Sequence, residues 1–155
     1  MNAYLIECWN SRIKKNDIVY HLGDFGWDNK YMPLEQIAND LNGQIFLIEG
    51  SHDWPARRFE NRFIKIVQQY NIGIKSQRIC MSHCAMLVWE RSHYGAWNLF
   101  GHSHGRLSID KLVGKQMDVG VDTHNFLPYT FEEIRDIMIE RKDNWNLINK
   151  EAADE

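Results

Sequence analysis

The sequence predicts a single α/β domain. Short apolar runs of strand length alternate with helix-length amphipathic segments, the pattern of sheets flanked by helices. The 155 residues suit one domain with its own core, and 44% hydrophobic with 25% charged residues is the balance of an ordinary globular chain.

The elements follow in order. Residues 1–15 read as a helix, with Tyr4, Leu5, Cys8, Trp9 and Ile13 on one face and Lys14 and Lys15 suiting its C-terminal end. "DIVYHL", 17–22, reads as a short buried strand stopped by Gly23. Residues 32–43 read as a helix, with Pro33 near its start and Gly43 at its end. "QIFLIE", 44–49, is a second strand, stopped by Gly50, and residues 57–71, "RRFENRFIKIVQQYN", look helical. "QRICM" and "AWNLF" are strands, and residues 106–122 suggest a hairpin or strand pair. The clearest helix covers 130–142, where Thr130 and Glu133 form a capping box. The domain is expected to span residues 1–142, with a polar tail over 143–155.

The formal net charge of −3 gives no global attraction to nucleic acid or anionic membrane. Cys8, Cys80 and Cys84 are an odd set without a CxxC pair, which points to a reducing interior rather than a disulfide framework. Cys80 and Cys84 flank His83, yet the spacing is not that of a zinc finger. No run approaches the roughly 20 apolar residues of a membrane span, and no signal peptide is visible. A cytoplasmic protein without a membrane partner is expected.

The chemistry gathers at four strand exits. The first ends in Gly23-Asp24, the second in Gly50-Ser51-His52-Asp53, the third in Ser82-His83-Cys84, the fourth in Gly101-His102-Ser103-His104-Gly105. In α/β folds, ligands collect beyond the carboxyl ends of strands. Asp and neutral His are ligands for Zn²⁺, Mn²⁺ and Fe ions. In extended chain, His102 and His104 would point to the same side, each able to reach one ion of a pair, while Asp24 has two oxygens and can bridge. A lone HxH or GD turn means little; the ordered set of exits argues for a metal site.

"GDFG", "GSHD", "SHC" and "GHSHG", in this order, resemble the motifs of the calcineurin-like metallophosphoesterases. "YHLGDFGW", "HYGAWNLFGHSHG" and "DVGVD" followed by "LPYTFEEI" are similar to the small bacterial and phage members, so the resemblance covers residues 1–142. It implies a four-layer α/β/β/α sandwich with a two-metal site along one rim, hydrolysing a phosphodiester or phosphomonoester. It implies Asp24 as bridging ligand, His83 and His102 on one ion and His104 on the other. It further implies His52 facing the substrate phosphate and Asp53 orienting a nearby histidine. The resemblance departs from the family at two points. Ser51 stands where the family places a ligating Asn, so its hydroxyl, a shorter and weaker metal donor, or a water would take that place, and no Asp-x-His occurs in residues 1–20. The expectation is therefore that the first strand is absent from this chain and that one of two metal positions is incomplete. The alternative is a weakly active or inactive homologue that binds a metal or a partner.

Other residues carry weaker expectations. Arg57 could contact a phosphate, although a solvated helix start is the plainer reading, as it is for Arg58. His93 could line the substrate mouth. Trp54 could stack on a nucleobase, but core packing or a pocket wall is the plainer reading. His21 is expected in the core, Asp118 and Asp122 as non-ligands. An exposed sheet edge beside the absent strand could invite a homo-oligomer.

Overall fold

The computed structural model describes residues 2–28, 32–108 and 111–144. Two sheets organise these residues. The first is parallel, in the order β1 (Ile18–His21), β2 (Gln44–Ile48), β3 (Phe63–Val67). The second has the order β4 (Gln69–Ile74), β5 (Gln77–Ser82), β6 (Trp97–Phe100), β7 (Gln116–Asp118). Here β4 and β5 form an antiparallel hairpin, while β5, β6 and β7 run parallel. The helices are α1 (Asn2–Arg12), α2 (Leu34–Asp40) and α3 (Phe131–Ile139). The mixed α/β class expected from the sequence is present.

Strand periodicity distributes the core. Successive side chains of a strand face opposite ways, so Ile45 and Leu47 of β2 join Leu34, Ala38, Phe59 and Phe63 on the helical side. Ile48 turns to the other face and meets Ile79, Met81 and Leu99 of the second sheet, together with Ile134 and Met138 of α3. On the outer face of the second sheet, Cys80 is covered by Trp89 and Ala96 from the β5–β6 loop. The helical cover expected on that face is supplied there by loop side chains.

Three boundaries differ from the sequence expectation. Residues 57–71 are not one helix: a 3₁₀ segment, Trp54–Arg62, gives way to β3 and β4. Phe59, Phe63, Ile66 and Tyr70 have helical spacing, but β-branched residues dominate β3, and the burial of β4 alternates with a period of two. Residues 106–122 supply one short strand, β7, and a 3₁₀ turn, Val121–Thr123, rather than a hairpin among the described residues. The tail begins later than residue 143. Asn144 is buried and donates from Nδ2 to the carbonyl of Leu87 at 2.8 Å; the rest of the expected tail, 145–155, lies outside the described residues.

The side of β1 away from β2 pairs with no strand among the described residues. It faces a trough of about 830 Å³ that runs from Trp9 and Ile13, past Tyr20, to Asp24, His102 and Asp122. No helix of the described residues is long and apolar enough to cross a membrane.

The capping box of α3 is formed. Thr130 Oγ1 accepts from Glu133 N at 3.2 Å, and the Glu133 carboxylate accepts from Thr130 N at 2.8 Å. The same carboxylate binds Arg12 of α1 at 2.8 Å, and the guanidinium and the cap together hold it down to a pKa of about 2. Thr130→Ala should lower unfolding stability by about 1 kcal/mol, read as a shift of the urea midpoint with an unchanged slope.

Candidate metal centre

The four exits converge because the strands that precede them are parallel and end on the same side. Leu22-Gly23-Asp24 leaves β1, Glu49-Gly50-Ser51-His52-Asp53 leaves β2, His83 leaves β5, and Gly101-His102 leaves β6. Two glycines make the convergence possible. A Cβ on Gly23 would sit 2.5 Å from His83 Nδ1, and one on Gly50 would sit 2.5 Å from Asp24 Oδ1. No side chain fits at either place.

Asp53 ties the first two exits together. It is 1% exposed, and its carboxylate accepts from Asp24 N at 2.8 Å, Phe25 N at 2.6 Å and Gly50 N at 2.8 Å. The expected role, orienting a histidine, is not the one its hydrogen bonds serve: Asp53 binds three backbone amides. Asp24 returns the connection, accepting from His52 N on Oδ1 at 3.0 Å.

The donors meet at His83, which is 7% exposed. Its Nδ1 lies 2.8 Å from the carbonyl oxygen of Leu22 and donates to it. The neutral ring therefore presents a lone pair at Nε2. That atom faces Asp24 Oδ2 at 3.4 Å and His102 Nδ1 at 3.2 Å. A tetrahedral ion with bonds of about 2.0–2.1 Å to nitrogen and oxygen keeps its donors about 3.3 Å apart. These separations match that edge length. His102 reaches the cluster through a left-handed backbone, φ 63°.

The remaining predicted residues have other placements. His104 also has a left-handed backbone, φ 49°, so the HxH pair lies in a turn and not in extended chain. Its Nδ1 meets Asp122 Oδ2 at 2.5 Å, both side chains being exposed. Asp122, set aside from sequence, is thus the partner of a predicted ligand; no local spacing announces a pair 18 residues apart. Asp118 props the same loop, accepting from Gly105 N at 3.0 Å and Gly120 N at 2.9 Å. Ser51 is exposed in its turn. His52 is exposed, its ring 5.1 Å from that of Trp27. Trp54 is 71% exposed, so the core-packing reading fails; Arg58 lies over its ring at 5.9 Å and also pairs with Asp28.

Arg57 and His93 are not brought to the centre. Arg57 makes a two-pronged bond to Glu49, at 2.7 and 2.8 Å, which holds the Glu49 carboxyl below its usual range. That pair occupies Nε and one Nη2 hydrogen of the guanidinium and ties Arg57 to the residue that precedes Gly50. His93 lies in the 3₁₀ turn Ser92–Tyr94, just before β6 starts. The neighbouring Gly95 carbonyl accepts from Gln77 at the start of β5, near the end of the sheet opposite the exits. His21 is partly buried against the trough, its ring between Trp9 and Phe25; burial pushes its pKa down, which keeps the imidazole neutral.

Comparison with known proteins gives relatives without assigned functions. The chain is 30% identical over 140 residues to the uncharacterized protein MJ1445 of Methanocaldococcus jannaschii, covering 86% of this chain and 73% of that protein. It is 23% identical over 166 residues to the Gene 66 protein of Mycobacterium phage D29, covering 88% and 82% respectively. In structure it is similar to the protein of unknown function AQ665 from Aquifex aeolicus, with a TM-score of 0.68 at 19% identity over 88% of this chain and 84% of that one. That likeness concerns the fold. No family profile matches the chain.

Asp53→Ala would orphan three amides that now share one buried carboxylate. Hydrogen bonds to a charged group are worth about 1.5–3 kcal/mol each, and the loops can recover some of that through water. A loss of about 3 kcal/mol or more is expected in urea unfolding. A loss under 1 kcal/mol would show that the loops do not depend on it.

Proposed function

We propose that this chain, which belongs to the family of the uncharacterized protein MJ1445 of Methanocaldococcus jannaschii, is a divalent-metal phosphoesterase of the calcineurin-like kind. One observation carries the reading: the lone pair of His83 Nε2 faces a carboxylate oxygen at 3.4 Å and a second imidazole nitrogen at 3.2 Å. A proton can join His83 to one of those partners at a time, whereas a metal ion at Nε2 would draw on more than one of them. The finer architecture proposed with it is the metallophosphatase sandwich, of which the two facing sheets and the exits on one rim are the supporting features.

His83, His102 and Asp24 would hold the ion, and two imidazoles with a carboxylate suit Zn²⁺, Mn²⁺ or Fe. A divalent ion there supplies Lewis acidity to a phosphoryl oxygen and lowers the pKa of water. The chain's own residues do the rest. Asp24 fixes the backbone of His52 by accepting its amide hydrogen. His52, exposed beside Asp24, would hand a proton to the departing oxygen of a phosphoester. Its ring rests on Trp27, which limits where Nδ1 and Nε2 can point. His104, steered by Asp122, sits on the exposed side of the same rim and would serve a second ion or the substrate.

Three donors at one position and one committed histidine at the other lead to an expected stoichiometry of one tightly held ion per chain. Calorimetric titration with Mn²⁺ reads it, and two equally tight sites would refute it. His83→Ala and His102→Ala should each strip the ion on dialysis. His52→Ala should keep the metal and lower hydrolysis of an aryl phosphodiester by about 10²–10⁴-fold, the usual worth of general acid help. Loss of metal in His52→Ala would make that residue a ligand, and full activity would remove it from the reaction.

A further inference from the structure

We propose that Cys84 is a thiolate ligand of the ion held by His83 and His102, which makes this a zinc-selective centre. The inference rests on the metal reading above and adds a donor and a metal preference to it. His83, Cys84 and His102 each offer one ligand atom, and the three atoms all lie within 4.8 Å of one another. The position follows from the backbone: Cys84 directly succeeds His83, and its carbonyl accepts from Ser82 Oγ at 2.8 Å, which turns the chain back on itself at the end of β5. Gly101 N donates to the His83 carbonyl at 3.0 Å, so the β5 and β6 exits are pinned side by side on this rim.

The three cysteines are not equivalent. Cys8 and Cys80 are buried, and Cys84 is exposed. Cys80 points into an apolar cluster with Trp89 and Ala96, where burial pushes its thiol up to about 11. Cys84 stands at the rim beside two imidazoles. When it coordinates, its S–H bond breaks and the proton leaves to solvent; the sulfur lone pair forms the metal–sulfur bond, with no change of oxidation state. Two imidazoles and one thiolate are a nitrogen and sulfur donor set of the size that a catalytic zinc site uses, suited to Zn²⁺ over Mn²⁺ or Mg²⁺.

The thiol pattern makes the test clean. In the native metal-free protein, one thiol should react rapidly with a disulfide reagent, and saturating Zn²⁺ should protect it. Loading Co²⁺ instead should give a sulfur-to-cobalt charge-transfer band in the near ultraviolet. Cys84→Ser should abolish that band while Co²⁺ still binds. Its Zn²⁺ affinity should fall by more than the roughly 10–100-fold that loss of an outer partner costs, and its affinity for Mn²⁺ should change far less. Bound Co²⁺ with no charge-transfer band and a freely reactive thiol would overturn the role of Cys84 and leave the metal site standing. No Co²⁺ binding at all in equilibrium dialysis would overturn both. A band and a protected thiol without phosphodiester hydrolysis would uphold Cys84 as a ligand while refuting the phosphoesterase reading.

Discussion

The centre depends on one buried carboxylate. Asp53 has no water to accept from, so its oxygens must find donors within the chain. They find three backbone amides, two on the β1 exit and one on the β2 exit. Bonds of this kind are short and strong, and stronger in a water-poor site. They draw the two loops together until no side chain fits at Gly23 or Gly50. Asp24 then accepts from the His52 amide, so the loops brace each other in both directions. The approach of Asp24 to His83 is a consequence of that brace.

The contrast between this centre and its rim is physical. His83 is buried and bonded at both nitrogens, whereas its partner His102 is exposed, as are His52, His104 and Trp27 on the rim. A buried group keeps its geometry because its alternatives cost unsatisfied polar atoms. An exposed group is free to exchange partners with water.

Much of this was legible from the sequence, for identifiable reasons. The α/β class and most strands were readable because apolar runs end abruptly at Gly23, Gly50 and Gly101. Asp24, His83 and His102 were readable as a set because each follows the carboxyl end of a strand, where α/β folds gather their ligands. Roles that depend on loop conformation were not readable. Asp53 bonds main-chain amides, which carry no sequence signature. His104 sits in a left-handed turn that breaks the extended-chain argument for the HxH pair. Arg57 follows the motif but is claimed by Glu49, a residue upstream of it. Residues 57–71 satisfied a helical spacing and a strand composition at once, and sheet pairing of Ile66 with Leu47 decided between them.

The most economical part of the design is the stretch Leu22-Gly23-Asp24. Three consecutive residues govern both nitrogens of one histidine. The Leu22 carbonyl takes the Nδ1 hydrogen. Gly23 lets the ring approach to a distance that a methyl group would forbid. The Asp24 carboxylate then stands 3.4 Å from Nε2. With its Nδ1 hydrogen given to Leu22, the ring can accept a hydrogen from His102 Nδ1, or take up a second proton or a cation at Nε2. The second proton serves one neighbour, and here there are two, because His102 Nδ1 lies 3.2 Å away as well. The end of β1 therefore fixes the tautomer of His83 and aims its Nε2 at Asp24 and His102 by the same contacts.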